Sequence, residues 1–139
     1  MKEKNLLDVG SGAGLPGMVL SIIDDEKNIR LLEPNQKKIS FLTHVQARLD
    51  LKNIKIFKER IENLKDICEE TIITRAVMEP EKLLNSISKL NNKNLKIIMM
   101  VTEPSLISNP NWESKFFVSE AQKILGKNRG FLNITPVKN

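Results

Sequence analysis

A chain of 139 residues has room for one domain, because domains typically contain about 100–200 residues. Its composition, 40% hydrophobic and 28% charged, excludes wholesale disorder, a collagen-like repeat and a disulfide scaffold. No apolar run approaches the roughly 20 residues of a membrane-spanning helix, and the first residues lack the apolar segment of a secretion signal. The lone Cys68 has no cysteine partner for a disulfide or a thiolate metal site. We therefore expect a cytoplasmic, monomeric protein of one domain over residues 1–139, with no bound metal and no membrane partner.

The net charge of +5 is unevenly distributed along the chain. Residues 1–70 contain 12 Lys and Arg against 12 Asp and Glu, whereas residues 71–139 contain 10 against 5. The last basic residues, Lys123, Lys127, Arg129 and Lys138, have no acidic residue among them. A surface of one sign attracts a polyanion such as RNA, although a solvated basic tail has the same composition.

The first half of the chain alternates between strand and helix patterns. Asn5–Val9 is a short apolar run that ends on glycines, which is typical of a buried strand entering a tight turn. Gly17–Ile23 continues as a helix after Pro16, a residue favoured at helix starts. The following pattern predicts a strand, a helix and two further strands, over Ile29–Leu32, Lys37–Asp50, Ile54–Phe57 and Thr71–Thr74.

The second half begins with the same alternation and then changes. Glu81–Leu90 is predicted to be a helix, and Lys96–Val101 is a strand so apolar that we expect it to be covered on both faces. Lys115–Val118 and Phe131–Thr135 then predict an antiparallel hairpin, connected through Gly126 to Gly130, on the edge of a parallel sheet. The predicted fold class is α/β, with a doubly wound, mostly parallel sheet.

The most specific feature is the glycine-rich turn between the first strand and the first helix. Glycines permit positive φ angles and let a ligand approach the backbone closely, although such a turn can also serve only as a connection. Two frames are present. Gly10-x-Gly12-x-Gly14 preceded by Asp8 is the pattern used for S-adenosylmethionine, whereas Gly12-x-Gly14-x-x-Gly17 matches the dinucleotide fingerprint.

Three observations favour the S-adenosylmethionine frame. The Asp8 carboxylate stands where it can order the turn or meet the ammonium group of the ligand. Pro16 removes a backbone donor at the helix start, where a pyrophosphate would need one. At this length we also expect no second domain for a hydride donor or acceptor. Glu33 closes the second strand, where an acid can accept hydrogen bonds from both ribose hydroxyls, and the alternative is an exposed acid at a strand end.

Several spaced motifs carry a family resemblance. They are Asp8 to Gly17, Leu32-Glu33, Lys37-Lys38-x-x-Phe41-Leu42, Arg60-Ile61-Glu62 and Thr74-Arg75-Ala76. With them the chain resembles the RsmG (GidB) family from about Leu6 to Ala76, and more weakly beyond Glu79 apart from the final hairpin. The resemblance implies a class I methyltransferase (Rossmann-like) fold, S-adenosylmethionine as cofactor, and methylation of a guanine N7 in 16S ribosomal RNA of the small subunit.

The resemblance also implies roles for individual residues. Gly10 and Leu15 match positions of the glycine loop that contact the cofactor. Glu33 matches the acid on the ribose side, where aspartate is commoner. Ile61 and Glu62 match the pair that flanks the adenine. From the residues alone, Ile61-Glu62 is well placed to give an adenine an apolar wall and a polar partner, but an ordinary amphipathic turn is the preferred interpretation.

Arg75 matches an arginine of the family's cofactor and substrate pocket. Guanine N7 has a free lone pair at neutral pH, so the reaction needs orientation and no general base, and we expect no catalytic residue beyond Arg75 as a positioning group. An arginine bonded to N7 would occupy the reacting lone pair, so we predict that Arg75 contacts the cofactor carboxylate, guanine O6 or a phosphate. A salt bridge to Glu79 or Glu62 is the structural alternative.

The chain departs from the family pattern at two places. Family members carry a helical segment before the first strand, whereas Met1 stands only a few residues ahead of it. After the fifth strand, Val101-Thr102-Glu103-Pro104 replaces a common lysine-glycine pair. The leading hypothesis is a 16S rRNA guanine-N7 methyltransferase. A class I methyltransferase with another substrate and a truncated, non-catalytic cofactor- or RNA-binding module remain open, and a dinucleotide-binding oxidoreductase fragment ranks last.

Overall fold

The fold is an α/β sheet whose strands all belong to one layer. The structure, a computed structural model, describes residues 3–75, 77–90, 92–126 and 129–138, so Met1, Ala76 and Lys127 lie outside the described residues. Within these ranges the strands are β1 Asn5–Val9, β2 Asn28–Leu32, β3 Ile54–Phe57, β4 Thr71–Arg75, β5 Lys96–Val101, β6 Trp112–Phe117 and β7 Gly130–Pro136. Their order is β3-β2-β1-β4-β5-β7-β6, parallel as far as β5 and antiparallel for β7 and β6.

Helices cover both faces of the parallel strands. The helical elements are α1 Gly17–Ile23, α2 Gln36–Leu49, α3 Pro80–Ile87, α4 Glu120–Ile124 and a single 3₁₀ turn at Ile61–Asn63. On one face Met18 of α1 and Leu42 of α2 join a core with Leu6 and Leu31. On the other face α3 and the 3₁₀ turn pack against a larger core that includes Leu7, Ile72, Ile97 and Leu132. None of the described helices has the length and apolarity needed to cross a membrane.

The strand and helix assignments of the first half are confirmed to within one residue at either end. The prediction that β5 is covered on both faces is only partly right. Ile97 and Met99 are buried against the α3 side, whereas Ile98 and Met100 on the opposite face are half-buried. The reason is that α1 packs on β1 and β2 and α2 packs on β3, which leaves this face of β5 less protected.

The predicted edge hairpin is confirmed, with longer strands and with α4 inserted in its connection. Trp112 begins β6, packs against the larger core and donates its backbone N–H to the Asn109 carbonyl oxygen at 3.2 Å. The predicted helix over Glu81–Leu90 is shorter than expected, because it ends at Ile87 and a turn follows in which Leu90 still packs into the core.

Candidate functional site

The glycine turn lies at the carboxyl edge of the parallel strands, where open α/β sheets bind ligands. Gly10, Gly12 and Gly14 have φ angles of 71°, 56° and 92°, which residues with a Cβ rarely adopt. A Cβ at Gly14 would also lie only 2.9 Å from the Cβ of Met18. The Gly10-x-Gly12-x-Gly14 frame is therefore the one that the backbone conformation requires.

Gly17 has a different role, because it holds α1 against β1. A Cβ at Gly17 would lie 2.5 Å from Asp8 Oδ2 and 2.5 Å from Leu31 Cδ2. The Gly17 N–H donates to Asp8 Oδ2 at 2.8 Å, so this donor at the start of α1 is already occupied by a carboxylate of the chain. A pyrophosphate at this position would have to displace Asp8, which weighs against the dinucleotide frame.

Asp8 is completely buried beneath the turn. Burial raises the pKa of this carboxyl from 3.8 to about 6, and the Gly17 N–H, the Ser11 hydroxyl and the charge of Arg75 oppose the shift. The Ser11 hydroxyl donates to the backbone carbonyl oxygen of Asp8 at 3.3 Å. Its Oδ1 atom has no hydrogen-bond partner among the described residues. The carboxylate therefore anchors the turn with one oxygen and keeps a second oxygen unpaired, which a cationic group would stabilise.

Glu33 joins the turn to the end of β2. Its Oε2 accepts from the Gly12 N–H at 2.9 Å, and its Oε1 accepts from the Asn35 N–H at 2.9 Å. The residue is only 4% exposed, so the interpretation as an exposed acid at a strand end is wrong. A carboxylate has about four acceptor positions, so both oxygens can accept a further hydrogen bond.

Ile61 and Glu62 lie in the 3₁₀ turn after β3. A cavity of about 120 Å³ is lined by both residues together with Gly10, Pro34 and Val77. The Ile61 side chain is 2% exposed and also belongs to the core under α3, so the same residue serves packing and lining. The structure thus brings the predicted adenine pair to the glycine turn. Leu15, which is 38% exposed, is not among the residues that line this cavity.

Arg75 ends β4 and faces a second cavity at the same edge of the sheet. This cavity of about 390 Å³ is also lined by Met100, Gln122, Arg129 and Phe131. Within the described ranges, Arg75 forms no salt bridge with Glu79, Glu62 or any other acid. The structural alternative for Arg75 is therefore wrong.

The sequence did not predict that Arg129 and Gln122 would line this second cavity with Arg75. Arg129 was visible only as one basic residue of the terminal segment, and Gln122 gave no signal. The antiparallel addition of β7 beside β5 brings Arg129 to the cavity. Gln122 Oε1 is buried without a hydrogen-bond partner among the described residues, so this wall of the cavity has an unsatisfied acceptor.

Comparison with known proteins places these features in a family. A family model described as GidB, rRNA small subunit methyltransferase G, matches residues 1–128. The chain belongs to this family. A relative named ribosomal RNA small subunit methyltransferase G from Ruthia magnifica is 42% identical over 101 residues, which cover 72% of this chain and 50% of the relative. A protein of the same name from Malacoplasma penetrans is 33% identical over 151 residues, which cover 92% of this chain and 63% of the relative.

The family resemblance predicted from the sequence is thus confirmed. The chain spans about half the length of the Ruthia relative that it matches.

Solved structures confirm the class I S-adenosylmethionine-dependent methyltransferase fold. A mutant of MtNAS in complex with S-adenosylmethionine superposes with a TM-score of 0.74 at 12% identity, covering 98% of this chain and 55% of that chain. A SAM-dependent methyltransferase from Aquifex aeolicus superposes with a TM-score of 0.70 at 14% identity, covering 97% and 82%. At such low identity these similarities concern the fold.

Proposed function

We propose that this chain is an S-adenosylmethionine-dependent methyltransferase that methylates N7 of a guanine in 16S ribosomal RNA. In this proposal residues 1–139 form a single methyltransferase domain that acts as a cytoplasmic monomer on 16S rRNA or the small ribosomal subunit. Membership of the family supports the substrate class. The observation that carries the proposal is the glycine turn, which has three glycines at positive φ and is tied to the buried carboxylates of Glu33 and Asp8 through the N–H groups of Gly12 and Gly17.

The residues present fit this cofactor. Asp8 offers an unpaired buried oxygen for an ammonium group, and Glu33 retains acceptor capacity for ribose hydroxyls. The cavity of Ile61 and Glu62 supplies an apolar wall beside a polar group, as an adenine requires. When bound, S-adenosylmethionine supplies an electrophilic methyl group on a sulfonium.

The chain contributes orientation. Guanine N7 is nucleophilic at neutral pH, so no side chain has to remove a proton, and holding the base in line with the methyl group provides most of the rate enhancement. Arg75 lines the 390 Å³ cavity, and it is near enough to Asp8 for its charge to lower the pKa of that carboxyl. In the proposal Arg75 holds the cofactor carboxylate, guanine O6 or a phosphate, and leaves N7 free.

The second cavity fits a nucleotide. Its volume lies within the range of about 300–1,000 Å³ that is typical of ligand pockets. Arg75 and Arg129 provide two cations for phosphate oxygens, and the Phe131 ring, 39% exposed, provides a surface on which a base can stack.

Calorimetry tests the cofactor. The expected result is binding of S-adenosylmethionine and no binding of NAD. Gly12→Val should abolish that binding, because valine is strained at a φ of 56° and a side chain there would keep the ligand from the backbone. Binding of NAD in place of S-adenosylmethionine would contradict the proposal.

Methyl transfer is tested on small ribosomal subunits that lack the modification, with 7-methylguanine mapped afterwards. Arg75→Ala should reduce transfer about 10- to 100-fold, because a hydrogen bond to a charged group contributes about 1.5–3 kcal/mol. Arg48→Ala, an exposed arginine on α2, is the matched control. If methyl transfer and cofactor affinity both survive in Arg75→Ala, the role of Arg75 is wrong, and if the folded, cofactor-binding chain transfers nothing, it is a binding module.

A further inference from the structure

A groove lies elsewhere on the sheet, and its described lining residues are not shared with either cavity of the site described above. Its volume is about 430 Å³, and its walls include Arg30, Lys52, Lys55, Phe57 and Glu69. We propose that this surface, the β3 groove, binds an unpaired nucleotide of RNA. The proposal rests on the proposed function for its choice of RNA as partner, and it adds an RNA contact remote from the reacting base.

The groove arises from the alternation of side chains in β2 and β3. Ile54 and Ile56 point to the face covered by α1 and α2, so Lys55 and Phe57 point to the opposite face. In the parallel register Arg30 of β2 lies beside Lys55. On this face α3 packs over the 3₁₀ turn, whereas α2, the described helix that packs most against β3, lies on the opposite face. The edge of the sheet is therefore open on the side that carries the polar residues.

The groove is positively charged although the first half of the chain is neutral in total. Glu69 is the acid among the described lining residues, and its Oε2 is 2.7 Å from Nη2 of Arg30. Lys52 lies 3.3 Å from Asp50, but both side chains are more than 80% exposed, so solvent screens this pair. Lys55 forms no salt bridge within the described part of the chain. Two lysines remain available to a polyanion such as RNA.

The groove also contains a preformed stacking surface. The Phe57 ring is 43% exposed, and the guanidinium carbon of Arg30 lies over it at 5.9 Å from the ring centroid. The hydrogen bond to Glu69 fixes the guanidinium, whose Nε remains buried without a partner. Unpaired RNA bases stack on aromatic rings and on arginine planes, while lysines hold the phosphates. A combination of ring, guanidinium and two lysines thus favours an unpaired nucleotide.

Fluorescence anisotropy of a labelled single-stranded RNA of about 12 nucleotides, titrated at several salt concentrations without cofactor, tests the proposal. Lys55→Glu should weaken binding at least about tenfold and lower the slope of log affinity against log salt by about one. Phe57→Ala should weaken binding about tenfold and leave that slope unchanged, because stacking is not ionic.

The opposite edge of the sheet provides matched control positions. In β6, Lys115 and Phe117 repeat the spacing of Lys55 and Phe57, and Phe117 is similarly exposed at 50%. Lys115→Glu changes the net charge by the same amount as Lys55→Glu, so it measures the general effect of net charge on RNA binding. Circular dichroism on every variant confirms that the fold is retained, and Phe57→Leu keeps the packing volume without the ring.

The inference is overturned if the β3 and β6 variants weaken RNA binding equally, or if Phe57→Leu binds as well as the unchanged chain. It is also overturned if an acidic peptide of glutamates competes as well as RNA at equal charge. The titration needs no cofactor and no methyl transfer, so its result is independent of catalysis. A chain that is inactive but shows the expected differences in RNA binding would contradict the proposed catalysis and support RNA binding at the β3 groove.

Discussion

The parallel part of the sheet and its antiparallel part contribute to the site in different ways. Around β1 and β2, backbone conformation does the positioning, since the glycine turn is held by hydrogen bonds from backbone N–H groups to Asp8 and Glu33. Where the antiparallel strand β7 joins β5, exposed or half-buried side chains such as Phe131 and Met100 line an open cavity together with Arg75 at the end of β4. A turn that depends on its backbone conformation tolerates few residue types, whereas a cavity lined by side chains tolerates many.

This difference explains where motifs appear. Positive φ angles at Gly10 and Gly14, and contacts below 3 Å that a Cβ would make at Gly10, Gly14 and Gly17, restrict these positions to glycine, so the glycine turn is recognisable in any one sequence. The cavity of Arg75 depends on which residues end up adjacent after the sheet is assembled. Its basic residues are visible in the composition, but their grouping is not.

The largest expected effect is a loss of stability, and a glycine from each part of the sheet tests it. Gly17→Ala should lower the free energy of unfolding by about 3 kcal/mol, because its Cβ would overlap Asp8 and Leu31 in a packed core. Gly126→Ala is the control from the antiparallel part, since its φ is 63° but nothing lies within 4 Å of the added Cβ, and about 1 kcal/mol is expected. Urea unfolding measures both. Equal losses would show that close packing at Gly17 is not the cause.

The pH dependence of stability tests Asp8. The folded chain holds this proton more tightly than the unfolded chain, since burial raises the pKa from 3.8 to about 6. Asp8 therefore favours the folded state below about pH 4, and this contribution, on the order of 2–3 kcal/mol, is lost as the pH rises through 6.

Asp8→Asn keeps an oxygen acceptor for the Gly17 N–H and cannot ionise. The difference in unfolding free energy between the unchanged chain and this variant should fall steadily from pH 4 to pH 7 in urea titrations. Parallel pH profiles for the two proteins would mean that the buried carboxyl does not titrate in this range.

The smallest effect concerns Glu33. In Glu33→Gln one side-chain oxygen is replaced by a nitrogen that cannot accept, so either the Gly12 or the Asn35 N–H loses its partner. We expect a loss of about 1 kcal/mol in stability and a roughly tenfold weaker binding of S-adenosylmethionine. Glu113→Gln in β6, an exposed position, is the control from the antiparallel part and should leave calorimetric binding unchanged. Unaltered binding in Glu33→Gln would remove this residue from the proposed ribose site.

Local signals in the sequence determined most of the fold. Apolar runs, proline positions and glycine spacing placed β1, α1, β3 and β5 at their observed bounds, because strands and turns depend on neighbouring residues. The same signals identified the glycine turn and the acid that closes β2. The length of α3, the presence of α4 and the partial cover of β5 were not predicted, because packing against distant elements decides them.

Only the tertiary structure decided which side chains meet. It showed that Asp8 and Glu33 hold the glycine turn through Gly17 and Gly12, and it brought Arg129 to the cavity of Arg75. It also brought Arg30, Lys52 and Lys55, from a half of the chain that is neutral in total, to the β3 groove. The physical reason is that strand register and the order β3-β2-β1-β4-β5-β7-β6 set these distances, and register is a property of the assembled sheet, not of any one segment.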